Sequence, residues 1–101
     1  MKRTLILYET KPEATRDNER LIQAVFRELQ QKAPDGVRYM ALMLEDGTFV
    51  HFSMVEETGG PHPITTLEAF QAFQKGIKER CATAPRSRAA EVVGNYRMLA
   101  E

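Results

Sequence analysis

The chain has no tryptophan, one cysteine and two histidines, and its 14 Lys and Arg are matched by 14 Asp and Glu over 101 residues. Each scarcity closes off a class of function. A single cysteine, Cys81, excludes an internal disulfide and cannot by itself build a metal cluster. No Cys or carboxylate stands at a recognisable ligand spacing to His51 or His62, so no metal is expected. Balanced charge, with no Lys/Arg block interleaved with aromatics, leaves no electrostatic footprint for nucleic acid. The apolar run near the N-terminus, Leu5-Ile6-Leu7, is far too short for a secretory core or a membrane span, which predicts a cytoplasmic protein without membrane association. There is no phosphate-cradling glycine loop and no Gly-x-Ser-x-Gly elbow, which argues against dinucleotide and acyl-transfer chemistry, and no cofactor is expected. At this length residues 1–101 make one domain with one core.

What is present is organised around Val37 to Val55, two apolar arms joined at Glu45-Asp46-Gly47 that read as a β-hairpin. Before it, Thr4 to Thr10 reads as a strand ended by Lys11-Pro12. From Glu13 to about Lys32, Leu21, Ile22, Val25, Phe26 and Leu29 recur at helical spacing. After it, residues 57–63 have the Gly/Pro composition of a loop that can serve as a flap. Thr65 and Glu68 have capping-box spacing, and Leu67, Phe70, Phe73, Ile77 and Cys81 predict a helix from about Thr66 to Ala82. A last strand is expected over Ala89 to Leu99. The order β-α-β-β-α-β predicts an α+β, ferredoxin-like antiparallel sheet with both helices on one face.

Two registers of the hairpin place His51 on opposite faces. A two-residue Asp46-Gly47 turn pairs Glu45 with Thr48, whereas a three-residue loop with Gly47 in the left-handed region pairs Leu44 with Thr48. The longer loop is preferred because it sorts Met40, Leu42, Leu44, Val50, Phe52 and Met54 onto a wholly apolar face, expected to meet the helices. Tyr39, Ala41, Met43, Phe49, His51 and Ser53 then share an amphiphilic face. That second face, left uncovered by a monomer, predicts a homodimer whose two sheets pack face to face and close a barrel around a cavity.

Tyr8-Glu9-Thr10-Lys11-Pro12, Asp46-Gly47-Thr48-Phe49-Val50-His51, Phe70-Gln71-Ala72-Phe73 and Gly94-Asn95-Tyr96-Arg97, set in this element order, resemble the dimeric α/β-barrel proteins. Within them the chain is most similar to the uncharacterised relatives of the antibiotic biosynthesis monooxygenases. The resemblance implies the fold and the dimer. It also points to a cavity for a small aromatic or quinone-like molecule and, in the enzymatic form, to a cofactor-free monooxygenase, an oxidoreductase. Haem-degrading relatives, and several that oxidise aromatics, rely on a cavity tryptophan that this chain lacks.

His51 is the candidate for chemistry, as a general base, a hydrogen-bond partner of a phenol or a metal ligand, against the plainer role of a histidine satisfied by Tyr39, Ser53 or a partner-chain carbonyl. Tyr8, Tyr39, Met43 and Phe49 are candidate ligand contacts, as is Tyr96, although aromatic strand residues are more often packing. Asn95 and Arg97 alternate on the expected last strand, where the guanidinium can hold a carboxylate or enolate, or pair with Glu91 or Glu9. Cys81 fits a buried helix stripe, and Arg86 and Arg88 point to solvent. The rival reading is a non-catalytic structural or interaction module whose barrel is filled by the same large side chains.

Overall fold

The structure is a computed structural model and describes residues 1–99. β1 (Lys2–Thr10) leads through a 3-10 turn (Pro12–Ala14) into α1 (Thr15–Lys32), followed by the hairpin of β2 (Val37–Met43) and β3 (Thr48–Val55). The short α2 (Glu68–Gln74) and α3 (Ile77–Arg80) precede β4 (Cys81–Ala89). The four strands form one antiparallel sheet in the order β2-β3-β1-β4, the ferredoxin-like arrangement predicted from element order. Among the described residues no helix is long and apolar enough to cross a membrane.

The hairpin loop has three residues. Leu44 N–H donates to Thr48 O at 2.8 Å and Gly47 N–H to Leu44 O at 3.2 Å, and the pairs run from Met43 with Phe49 to Val37 with Val55. Gly47 takes φ +86°, the left-handed conformation such a loop requires. Asp46 locks the turn by accepting the Thr48 N–H at 2.9 Å.

The expected register holds, but the expected faces are reversed. Phe49 and His51 are buried beneath the helices, in a core shared with Tyr8, Ile22, Val25, Phe70 and Phe73. Met40, Leu42 and Leu44 lie on the other side of the sheet and remain 39%, 51% and 44% exposed. Counting apolar side chains per face misassigns the faces because it treats tyrosine and histidine as unwelcome in a core. Here they are admissible because they hydrogen-bond one another and Asn18, and a buried polar group costs little once partnered.

Two element boundaries also differ. The single long helix expected over Thr66 to Ala82 is broken at Lys75-Gly76, where Gly76 at φ +79° lies in a conformation a helix interior cannot hold. Its Thr65/Glu68 capping box does not form. Glu28 of α1 reaches across instead, accepting the Ala69 N–H at 2.8 Å and the Glu68 N–H at 3.4 Å, so a carboxylate from the neighbouring helix satisfies the orphan donors.

Cys81 therefore opens β4 rather than closing a helix, and β4 spans Cys81–Ala89, well before the Ala89 to Leu99 expected. Pro85 is tolerated because β4 is an edge strand, and its pairing with β1 slips between Leu7 and Glu9, a bulge beside the residue that has no N–H to donate. Ala90 N–H still donates to Arg3 O at 3.0 Å, but residues 91–99 carry strand-like composition without regular structure, since a strand needs a ladder partner and no strand among the described residues pairs with them. The turn at Gly47 yields a direct check. An alanine Cβ there would meet nothing nearer than 3.7 Å, so Gly47→Ala is expected to cost roughly 1–2 kcal/mol from conformation alone in urea unfolding, and Gly47→Asn less.

Candidate functional site

Alternation along the strands brings three polar rings to one place. Tyr8 on β1 lies opposite Phe49, His51 on β3 lies opposite Ile6 and Ala41, and Tyr39 on β2 lies opposite Ser53, one diagonal step from His51 on the same face. Stacking fixes the rings. Tyr8 lies over Phe49 at a centroid distance of 5.4 Å, Tyr39 over Phe26 at 4.8 Å, and His51 beside Phe73 at 5.6 Å.

A hydrogen-bond chain threads these rings. The Tyr39 hydroxyl lies 2.6 Å from His51 Nδ1, the Tyr8 hydroxyl 2.9 Å from His51 Nε2, and Asn18 Nδ2 donates to the Tyr8 hydroxyl at 2.8 Å. Asn18 Oδ1 in turn accepts from Arg80 Nε at 3.0 Å, and the remaining guanidinium donors reach the backbone oxygens of Phe73 and Lys75. The chain thus runs from an exposed corner at α3 to the centre of the sheet. Asn18 is fully buried, Tyr8 is 3% exposed and His51 4%.

Burial decides the charge states. It drives the His51 pKa down from 6.5 to about 4, so the imidazole is neutral at physiological pH. Burial likewise pushes both phenols well above 10, only partly offset at Tyr8 by the Asn18 hydrogen bond. A base with a pKa near 4 and both nitrogens engaged is poorly matched to proton abstraction at neutral pH, where the expected general-base role would need it.

His51 and Tyr39 line a half-open cavity of about 190 Å³ between the sheet and α2, together with Lys2, Thr4, Ile6, Ser53, His62, Ile64, Phe70 and Gln74. That is somewhat larger than the roughly 150 Å³ apolar cavities that accept benzene. His62 Nδ1 accepts the N–H groups of Ile64 and Thr65, which pins the 61–65 segment over this cavity. A wider cleft of about 590 Å³ opens between α1 and β2, lined by Ile22, Phe26, Tyr39, Met43 and Phe49, so Tyr39 borders both spaces.

The candidate residues therefore separate into three groups. His51, Tyr39 and Tyr8 come together in the chain, and Phe49 packs beneath it. Met43, 49% exposed, stands at the mouth of the α1–β2 cleft away from His51. Asn95 and Arg97 are not near the cavity, because the strand expected to carry them does not form. Asn95 Oδ1 accepts the N–H groups of Met98 and Leu99, Arg97 lies over the Tyr96 ring at 4.9 Å, and Tyr96 itself is 77% exposed. Asn18 and Arg80 were not anticipated. Asn18 announces itself only as a polar residue in register with Ile22, Val25 and Leu29, the inward stripe of α1, and nothing local marks Arg80.

The backbone has close counterparts among solved structures. An antibiotic biosynthesis monooxygenase superposes with a TM-score of 0.73 at 15% identity, over 93% of this chain and 100% of its own. Rv0793 from Mycobacterium tuberculosis gives 0.73 at 14%, over 92% and 95%. A candidate antibiotic biosynthesis monooxygenase from Bacteriodes thetaiotaomicron gives 0.78 at 10%, over 98% and 95%. The chain shares the fold of these structures. No protein-family model matches the sequence and no curated protein matches it, so the likeness to the antibiotic biosynthesis monooxygenases lies in the fold.

The buried imidazole has a thermodynamic signature. Its folded pKa lies below the unfolded value, so the unfolded chain binds the extra proton and stability falls as pH drops from 6.5 to about 4. The stability at stake is about 3 kcal/mol, present in full above 6.5 and lost by about pH 4. Urea unfolding of the wild type and of His51→Gln across this range is expected to show the wild type losing that much more than the variant. Parallel slopes would show a protonatable, exposed His51.

Proposed function

We propose that the chain binds a small aromatic or quinone-like molecule in the cavity beneath the sheet, with Tyr39, backed by His51, meeting its oxygen, and that it acts on this molecule as a cofactor-independent monooxygenase. The observation that carries the reading is a neutral His51, buried, bonded to a half-buried Tyr39 on the wall of an otherwise largely apolar cavity of single-ring size. The fold likeness to antibiotic biosynthesis monooxygenases supports the reaction class by analogy.

In the proposed reaction the substrate loses its proton to solvent water, the Tyr39 hydroxyl backed by His51 holds the resulting enolate or phenolate oxygen, and the electron-rich ring carbon reduces dioxygen, with the proton returning to the oxygen atom that leaves. One oxygen atom enters the product as a carbonyl and the other leaves as water. Oxidation of a ring CH₂ to C=O supplies all four electrons, so no external reductant is needed. Apolar walls favour the anion only where hydrogen bonds meet it, and removing one such donor typically costs 10²–10³ in rate.

A second reading has its own support, since both His51 nitrogens are already satisfied within the protein. On that reading the chain is a polar core that fixes the fold, and the protein is a non-catalytic module. Oxygen uptake with a panel of one- to three-ring phenols and quinols separates the two. The monooxygenase reading expects uptake with the smaller members, reduced on the order of 10²-fold in Tyr39→Phe and in His51→Ala. Uptake unchanged by His51→Ala, in a variant that remains folded, would remove His51 from the reaction.

The proposed partner is a second copy of the chain. It is supported by the uncovered Met40, Leu42 and Leu44 on the outer sheet face and by Val93, Tyr96 and Met98, which are 96%, 77% and 76% exposed on a segment of strand-like composition that pairs with no strand among the described residues. Sedimentation at micromolar concentration is expected to show a dimer, and a chain ending at Ala89 to shift toward monomer. A monomeric full-length chain would overturn the dimer.

A further inference from the structure

The donors and acceptors along the buried chain are not interchangeable, and following them from the cationic end fixes a direction. Arg80 has only N–H groups to offer, so the atom of Asn18 facing its Nε must be the amide oxygen. That leaves the Asn18 NH₂ turned toward Tyr8, whose oxygen accepts from it. The Tyr8 hydroxyl keeps one proton to place, and the partner at hand is His51 Nε2, 2.9 Å away. Nε2 is then the unprotonated nitrogen, and neutral His51 carries its proton on Nδ1 and donates to the Tyr39 oxygen at 2.6 Å.

The reverse order fails at one point. If Nε2 carried the proton, Tyr8 would accept from both Asn18 and His51, and its own buried O–H would have no acceptor, at a cost of about 1–3 kcal/mol. Turning the Asn18 amide over to accept that proton would aim its NH₂ at the guanidinium, donor against donor. Arg80 is held against such a change, since its other nitrogens donate to the Phe73 and Lys75 oxygens and its guanidinium lies over the Phe73 ring at 5.4 Å.

We propose that Arg80 and Asn18 are positioning residues that set the direction of this chain, so that Tyr39 presents a hydroxyl proton to the cavity and the ligand atom it recognises is an acceptor oxygen. That acceptor is a quinone or ketone carbonyl, or the enolate or phenolate derived from it. The proposal rests on reading the cavity as a ligand site, and it sharpens that reading. His51 then supports the Tyr39 hydroxyl as a donor and is not the base. Successive donors polarise one another, so the last hydroxyl in the line is a stronger donor than an isolated phenol.

Two measurements test the parts separately. In protein labelled with ¹⁵N-histidine, long-range ¹H–¹⁵N spectra at neutral pH are expected to show His51 protonated on Nδ1, and a wild-type Nε2–H tautomer overturns the proposal. In Asn18→Asp the carboxylate accepts both from Arg80 and from the Tyr8 hydroxyl, which frees the Tyr8 oxygen to accept from Nε2–H, so the tautomer is expected to reverse. A folded Asn18→Asp protein with the tautomer unchanged also overturns it. A role of Asn18 in packing alone would not move this signature, and should the variant not fold, the wild-type spectrum still decides.

The ligand side is read by calorimetric titration with duroquinone and with durene, the same methylated ring without oxygens. The wild type is expected to prefer the quinone, and Tyr39→Phe to lose about 10-fold in quinone affinity with durene binding unchanged. Equal losses for both ligands overturn Tyr39 as the donor. Binding of neither ligand refutes the cavity reading, while the imidazole spectra judge the chain direction independently.

Discussion

The constraint on which this structure turns is that an imidazole in a hydrophobic core must be neutral and must still find a partner for each nitrogen. Burial alone opposes the charged form of His51 by roughly 3 kcal/mol, and a neutral ring left unpaired would forfeit a further 1–3 kcal/mol at each nitrogen. Tyr8 comes from β1 and Tyr39 from β2, on either side of the strand that carries His51. Asn18 comes from α1, and Arg80 stands where α3 gives way to β4. Shifting either neighbouring strand by one residue would turn its tyrosine to the opposite face. The polar chain therefore specifies strand register and helix placement together, a selectivity that an all-aliphatic core of the same volume would not supply.

The same arrangement explains why the sheet has two unlike faces. The helices cover the aromatic, hydrogen-bonded side, where stacked rings and Asn18 make demanding but fully satisfiable contacts. Methionines and leucines on the other side ask only for apolar area, which is why that side suits an interface in which a flat partner surface is sufficient. Residues 90–99 point to the same conclusion. Met98 and Leu99 lie near Arg38, Met40 and Phe52 on the outer face, while Val93 and Tyr96 project into solvent.

Much of this was legible in the sequence. Element order gave the ferredoxin-like sheet, helical spacing gave α1 almost to the residue, and the glycine after Asp46 gave the three-residue loop and with it the register that sets Ala41 opposite His51. What could not be read was which side of the hairpin the helices would cover. Both faces are largely apolar, so the decision depends on whether Tyr39 and His51 find partners, and those partners lie on β1 and at the start of α1, distant in sequence. The last strand was placed too late for a similar reason. Residues 81–89 include Pro85 and two arginines and read poorly as a strand, yet the β1 edge accepts them because an edge strand can lack a donor and leave its charges in water. The better pattern, residues 91–99, pairs with no strand among the described residues. Periodicity reports how a segment can be buried, and pairing reports whether anything is there to bury it.

A fully satisfied polar core and a binding site are often taken as alternatives, but the ends of this chain show how one can become the other. At the Arg80 end each guanidinium nitrogen meets an oxygen, two of them backbone carbonyls that anchor it. At the Tyr39 end the ring is only partly buried and borders both the smaller cavity and the wider cleft. A line of hydrogen bonds anchored at one end and open at the other gains strength along its whole length when a further acceptor joins it. A ligand oxygen at Tyr39 would therefore tighten contacts on β1, β3 and α1 that it does not touch. By linkage, the stability so added to the folded state is the ligand's own binding free energy, RT ln(1 + [L]/Kd). The interactions that make His51 a well-placed core residue are then the same ones that prepare the Tyr39 hydroxyl before a ligand arrives.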